Sequence, residues 1–172
     1  MDEMNGLARL NGLNEKNAWD ELLRCCGASK WALKMMSARP FVNSEALYAR
    51  SERVFASFQE IDWLEAFSHH PKIGDIDALR LKFATTREWA GNEQIGTSTA
   101  DEATLEALAT GNEAYEKKFG FIFIICATGK SAAEMLDALN DRLGNDRETE
   151  LRNAGEHQQR ITHLRIEKLL TL

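Results

Sequence analysis

Proline is scarce in this chain of 172 residues, occurring only as Pro40 and Pro71. Long stretches are therefore free of the residue that lacks a backbone N–H and turns its predecessor away from helical geometry. Cysteine is scarce too, with only Cys25, Cys26 and Cys126. An odd count with no C-x-x-C or Cys/His ligand spacing predicts thiols in a reducing compartment and argues against a structural zinc. No apolar run approaches the ~18 consecutive residues of a membrane span. The opening MDEMNGLARL has neither a basic n-region nor an apolar h-region. The expectation is a cytoplasmic protein with no membrane partner. Basic residues are outnumbered, 21 Lys and Arg against 27 Asp and Glu for a formal charge of -6, and they are scattered among carboxylates. That balance disfavours a phosphate backbone, so nucleic acid is not an expected partner. Internal repeats, low-complexity tracts and linkers are absent as well.

What is present is ordinary for a globular protein, with 44% hydrophobic and 28% charged residues. The length suits one domain over residues 1–172, burying roughly two-thirds of its unfolded surface. Capping signals and periodicity predict helices along most of it. Asn14 can cap EKNAWDELLRCC, closed by Gly27, and Ser29 can cap KWALKMMSA, which must stop before Pro40. Ser44 can open EALYARSERVFASF, while Asp62 with Glu65 has capping-box spacing ahead of WLEAFS. That helix runs into His69, His70 and Pro71, where the proline ends it. Further helices are expected over 76–83, 100–118, 131–143 and 146–170, with Ser131/Glu134 and Asn145/Glu148 at capping spacing. The exception is FGFIFIICATG, residues 119–129, flanked by glycine and too short to assign by period. With no second strand candidate to pair with it, it reads as one short buried extended segment near 121–127. The fold class is all-α, a single-domain bundle of about eight helices.

Four constellations bear on chemistry. ATGKS ends as a phosphate loop does, but that motif needs a glycine five residues before Gly129, where Ile124 stands. The plainer reading is a loop feeding a capped helix, whose free N–H groups can face an anion or an enolate oxygen. His69 and His70 could ligate a metal with Asp75 and Asp77, yet adjacent residues point in different directions and no i, i+4 histidine pair exists. No metal is expected. A histidine here can simply cap its helix. Against that, Pro71 fixes the backbone after His70 and holds in place an imidazole that, with a pKa near ~6.5, both gives and takes protons at neutral pH. Winding residues 151–169 at ~100° per residue puts Leu151, Ala154, Ile161 and Leu169 on one stripe with Arg165 inside it. A guanidinium there must snorkel, as nearby Lys168 is expected to do, pair with a protein carboxylate, or await a ligand carboxylate. Glu93 and Gln94, bracketed by Gly91 and Gly96, read by default as surface loop. A carboxylate beside an amide also suits a urea-like or imide-like group.

Jointly, HPKIGD, NEQIG, YEKKFGFIFIICATGKS and RLGNDRETELRNAGEHQQRITHLRIEKLL resemble, in order and over nearly the whole chain, the 2-oxo-4-hydroxy-4-carboxy-5-ureidoimidazoline (OHCU) decarboxylase family of urate catabolism. The resemblance implies an all-helical, cofactor-free decarboxylase, usually a homodimer, that converts this small-molecule substrate to (S)-allantoin and carbon dioxide. It puts the family's proton-donating histidine on His70, its proline on Pro71, and its glutamate on Glu93 with Gln94 alongside. Substrate contacts fall on Ile125, Cys126, Ala127, Thr128 and Gly129, and the arginine of the terminal helix on Arg165. Ala90 and Thr128 stand where many relatives have serine and arginine. On this reading the substrate is its own electron sink. Arg165 holds a carboxylate or carbonyl, N–H groups near 125–129 face the oxyanion, Glu93 and Gln94 grip nitrogens, and His70 protonates one face. A non-catalytic helical binding module, with Arg165 paired internally, is the alternative. A hydrolase of the preceding intermediate, 5-hydroxyisourate, is disfavoured because that family is built on β-sheet.

Overall fold

A computed structural model of the chain describes residues 3–71, 77 and 102–171. Those residues form eight helices and no strand: α1 (Glu3–Gly12), α2 (Glu15–Cys25), α3 (Ser29–Met36), α4 (Ser44–Ala56), α5 (Glu60–Ser68), α6 (Glu102–Phe119), α7 (Ala132–Leu143) and α8 (Arg147–Thr171). The class is all-α, as the sequence predicts. Apart from Asp77, the helix expected over 76–83 lies outside the described residues, as do Asp75, Ala90, Glu93 and Gln94. The chain divides into two compact units, one of residues 1–70 with 153–172 and one of 71–152. Among the described residues no helix is long and apolar enough to cross a membrane.

In the first unit, helices start where short polar side chains reach the unbonded N–H groups of a first turn. Asn14 caps α2, accepting from the Asn17 N–H at 2.8 Å. Three other starts depart from the sequence reading. Asn43 rather than Ser44 caps α4, accepting from the Ala46 N–H at 2.9 Å. Ser29 does not cap α3, because its hydroxyl donates to the Glu65 carboxylate of α5. Asp62 stands inside α5 rather than at its cap, accepting from the Gln59 N–H at 2.8 Å and from Lys30 Nζ at 2.7 Å.

Buried positions follow the spacing of single apolar faces: Ala18, Leu22 and Cys25 on α2, Trp31, Ala32 and Met35 on α3, and Leu47, Ser51, Val54 and Phe55 on α4. Trp31 is fully buried and donates its Nε1–H to Ser51 Oγ at 2.9 Å, so its one polar atom is satisfied. Phe55 and Trp63 stack nearby with ring centres 5.5 Å apart. Gly6 lets α1 lie against the end of α8, where a Cβ would fall 1.8 Å from the Leu170 carbonyl oxygen. The buried stripe of α8 in this unit runs through Ala154, Gln158, Thr162, Ile166 and Leu169. This corrects the expected stripe, because Leu151, Ile161 and Arg165 are only half-buried. Hydrogen bonding brings Gln158 and Thr162 inside, and a winding based on polarity alone centres the stripe one column off.

In the second unit the expected capping box forms at α7. Ser131 N–H donates to Glu134 Oε2 at 2.7 Å and Glu134 N–H to Ser131 Oγ at 3.2 Å. At α8, Asp146 rather than Asn145 takes the cap, accepting from the Thr149 N–H at 2.8 Å. Asn145 is drawn away by Glu150, to which its side-chain N–H donates at 2.8 Å. Residues 121–127 are neither helix nor strand, and Phe121, Phe123, Ile124 and Ile125 are buried. Arg142 of α7 ties this run down, donating from Nη1 to the Ile124 carbonyl at 2.7 Å and from Nε to Glu150 at 2.9 Å. Glu150, fully buried, also accepts from the Tyr115 hydroxyl. Charges so deep are tolerated because each is paired and hydrogen-bonded.

Candidate active site

The chain leaves α5 through His69 and His70, whose N–H groups still donate to the Ala66 and Phe67 carbonyls at 3.4 and 3.1 Å. Pro71 follows, exposed, and cannot prolong the helix. Gly27, between α2 and α3, backs this corner, since a Cβ there would lie 2.3 Å from His69 Cβ. His70 is thus half-buried at a helix end seated directly on backbone.

Its Nε2 lies 2.6 Å from Gln158 Oε1. Gln158 Nε2 donates to Thr162 Oγ1 at 3.1 Å, and the Thr162 hydroxyl donates to the Gln158 backbone carbonyl at 2.9 Å. Both residues are fully buried, as is Cys26, whose thiol is within hydrogen-bond reach of Thr162. Arg165 Nη1 lies 3.3 Å from the Arg24 carbonyl and 3.5 Å from that of Cys25, at the C-terminal end of α2 where a cation is favoured. Carbonyls do not neutralise a guanidinium. Among the described residues no carboxylate pairs with it, and its charge acts on Cys25, Cys26 and His70.

Burial holds His70 below the ordinary imidazole range. The Gln158 bond opposes this, and the positive charge of Arg165, then that of His69, add to it. The ring is neutral at neutral pH. Burial pushes the Cys25 and Cys26 thiols up to about 12 and about 11, so both stay protonated and neither is an activated nucleophile.

Two of the residues read from the sequence, His70 and Arg165, thus come into electrostatic contact within one unit although they stand far apart in the chain. Pro71 follows directly on the first. Ile125 to Gly129 belong to the second unit: Ile125 is buried, Cys126 and Ala127 half-buried, Thr128 and Gly129 exposed. Gly129 has a φ of 76°, which suits glycine, and the Lys130 N–H donates to the Ala127 carbonyl at 3.0 Å, closing the turn that enters α7. Glu93 and Gln94 lie outside the described residues. Sequence reasoning missed Gln158 and Thr162. Their only signal is the four-residue step from Ala154 through both to Ile166.

An all-α protein that sets a proline-stopped imidazole within the electrostatic reach of a guanidinium paired with no carboxylate among the described residues has the equipment to hold a small anion and move a proton. The family model described as OHCU decarboxylase matches residues 11–167, and the chain belongs to that family. A crystal structure of OHCU decarboxylase in the presence of (S)-allantoin is similar to it, with a TM-score of 0.71 and 40% identity over 89% of this chain and 99% of that one. The uric acid degradation bifunctional protein TTL of Arabidopsis thaliana is 40% identical over 152 residues, which are 88% of this chain and 47% of that protein. The chain therefore spans about half the length of this relative. The 2-oxo-4-hydroxy-4-carboxy-5-ureidoimidazoline decarboxylase of Amia calva is 31% identical over 140 residues, 81% of this chain and 79% of that one.

Proposed function

We propose that the chain decarboxylates OHCU to (S)-allantoin, with His70 as proton donor and Arg165 as the anchor for the substrate's negative charge. The observation that carries this reading is the half-buried imidazole of His70 within reach of the Arg165 charge, in a chain of this family.

The chemistry follows from the substrate. When the bond to the carboxyl carbon breaks, carbon dioxide leaves and the electron pair passes into the adjacent C=N of the imidazoline ring. The 4-hydroxyl then becomes a carbonyl, its proton passing to the ring nitrogen, while the ureido-bearing carbon takes a proton from the His70 imidazolium. One proton from solvent is consumed for each carbon dioxide released. Because the substrate accepts its own electrons, the reading calls for no cofactor, and turnover should survive dialysis against a chelator. The protein's task is to place and to protonate. Arg165 can hold a carboxylate by two parallel N–H bonds. Glu93 and Gln94 are assigned to the ureido or ring nitrogens, Ile125, Cys126, Ala127, Thr128 and Gly129 to the developing oxyanion through their N–H groups, and Pro71 to fixing His70. Protonation from one face makes the product a single enantiomer.

The test uses substrate made fresh by oxidising urate. Added protein should hasten the loss of its ultraviolet absorbance and give an optically active product. An unchanged decay with racemic product would leave only a binding module. The reading includes a homodimer, so sedimentation should give twice the 19.4 kDa chain mass. The protonated thiols Cys25 and Cys26 suit the reducing cytoplasm as its compartment.

A further inference from the structure

We propose that Gln158, braced by Thr162, holds His70 in the tautomer protonated on Nε2, and thereby makes Nδ1 the nitrogen that hands the proton to substrate. The inference rests on the reading of His70 as proton donor. Gln158 and Thr162 act through His70 and are positioning residues.

Heavy atoms alone leave the two ends of an amide, and the two tautomers of an imidazole, interchangeable. A closed network removes that freedom. The Thr162 hydroxyl has one proton, and 2.9 Å from its oxygen lies the backbone carbonyl of Gln158, which can only accept. The structure assigns the proton to that carbonyl. Thr162 Oγ1 then has only lone pairs for the Gln158 side chain 3.1 Å away, so the group facing it must be the NH2. The carbonyl end of the same amide faces His70 at 2.6 Å, and a carbonyl cannot donate. Nε2 must carry the hydrogen. At 0% exposure, Gln158 and Thr162 have no water to turn to instead. Among the described residues nothing hydrogen-bonds to His70 Nδ1.

One consequence is that the resting ring has a bare lone pair on Nδ1. The donor form is the imidazolium, with Nδ1–H free for substrate while Nε2–H stays on Gln158. Among the described residues the charged and titratable groups that act on it are Arg165 from α8 and His69 on its own segment, and Arg165 acts in turn on the Cys25 and Cys26 thiols at the end of α2.

Nitrogen-15 NMR of the whole chain, labelled at histidine, reads each ring nitrogen without any substrate. Above the pH at which the ring titrates, His70 should show Nε2 protonated and Nδ1 bare. A ring protonated on Nδ1, or an even mixture of tautomers, overturns the proposal whatever the turnover. The expected spectrum in a chain that does not decarboxylate overturns the reading of function and leaves the tautomer standing. Gln158→Met removes the acceptor at similar volume. It should mix the tautomers and lower kcat at least about tenfold with KM little changed, part of the ~10²–10⁴ that a positioned acid supplies. Gln158→Glu keeps an acceptor in place and adds a negative charge, so it should keep the tautomer and shift the alkaline limb of the kcat/KM profile, where the imidazolium donor is lost, to higher pH. Thr162→Ser should preserve both spectrum and turnover, whereas Thr162→Val should not. A folded Gln158→Met chain with one tautomer and the wild-type pH profile sinks the idea. If a variant fails to fold, the wild-type spectrum still decides.

Discussion

Burial and the Arg165 charge both favour the neutral form of His70, whereas the proposed reaction ends with that ring giving a proton away. An anionic substrate resolves the conflict. Its carboxylate offsets Arg165 and favours the imidazolium, so binding and loading of the acid become one event. Exchanging His70 for Asn keeps a polar side chain of similar reach and should leave the circular dichroism spectrum intact while kcat falls by at least ~10². Arg165→Met should raise KM, and it should also raise the His70 pKa in an NMR titration, because a positive charge that opposes protonation is gone. A lowered pKa in that variant would contradict the electrostatic link. These two residues were legible in the sequence for different reasons: Pro71 advertises His70, and a guanidinium near an apolar stripe advertises itself. Gln158 and Thr162 were not legible. Neutral polar side chains carry no mark of burial, and the partner that brings Gln158 inside is 88 positions away in sequence.

Helix starts follow the same division between local and distant causes. Asn14 and the Ser131/Glu134 pair were readable because donor and acceptor lie within one turn. Ser29 has the chemistry of a cap, but its hydroxyl is claimed by Glu65 of another helix. Asn145 lost its cap to Asp146 because Glu150 draws its side chain away. The corner that carries His70 depends on a contact of this long-range kind. Gly27→Ala would put a methyl 2.3 Å from His69 Cβ, so the end of α5 must move. Overpacking of this sort costs ~1–3 kcal/mol in urea unfolding, and kcat should fall with it because His70 is displaced. The run 121–127 has its own anchor. Arg142→Met would take the Arg142 guanidinium away from the fully buried Glu150, at a cost of ~3–5 kcal/mol. The sequence announced that run by its apolar residues but gave no sign of the buried ion pair beneath it.

One half-buried imidazole and two buried thiols bound the pH range in which the chain is stable. His70 holds its proton less readily folded than unfolded, so as pH falls below the ordinary 6.5 the unfolded chain protonates first and stability declines. Cys25 and Cys26 do the opposite. Pushed from 9.0 up to about 12 and about 11, they are still protonated in the fold when the unfolded chain has begun to ionise, so stability declines again as pH rises above 9.0. A second acid decline belongs to Glu134 and Asp146, held below their ordinary 4.5 and 3.8 chiefly by backbone N–H groups of Ser131 and Thr149. Their support is complete above those values and disappears as pH falls through the lowered ones. Urea midpoints measured across pH should therefore form a plateau between about 6.5 and 9 with a shoulder on each side. His70→Asn should flatten the near-acid shoulder and leave the alkaline one, and Cys26→Ala should reduce the alkaline slope and leave the acid one. The slope is the discriminating quantity, because either substitution can also lower the plateau through lost packing. A wild-type midpoint that stays level from pH 9 to 11 would mean that the thiols ionise alike in both states, and would remove their burial from any account of what holds the end of α2 against Arg165.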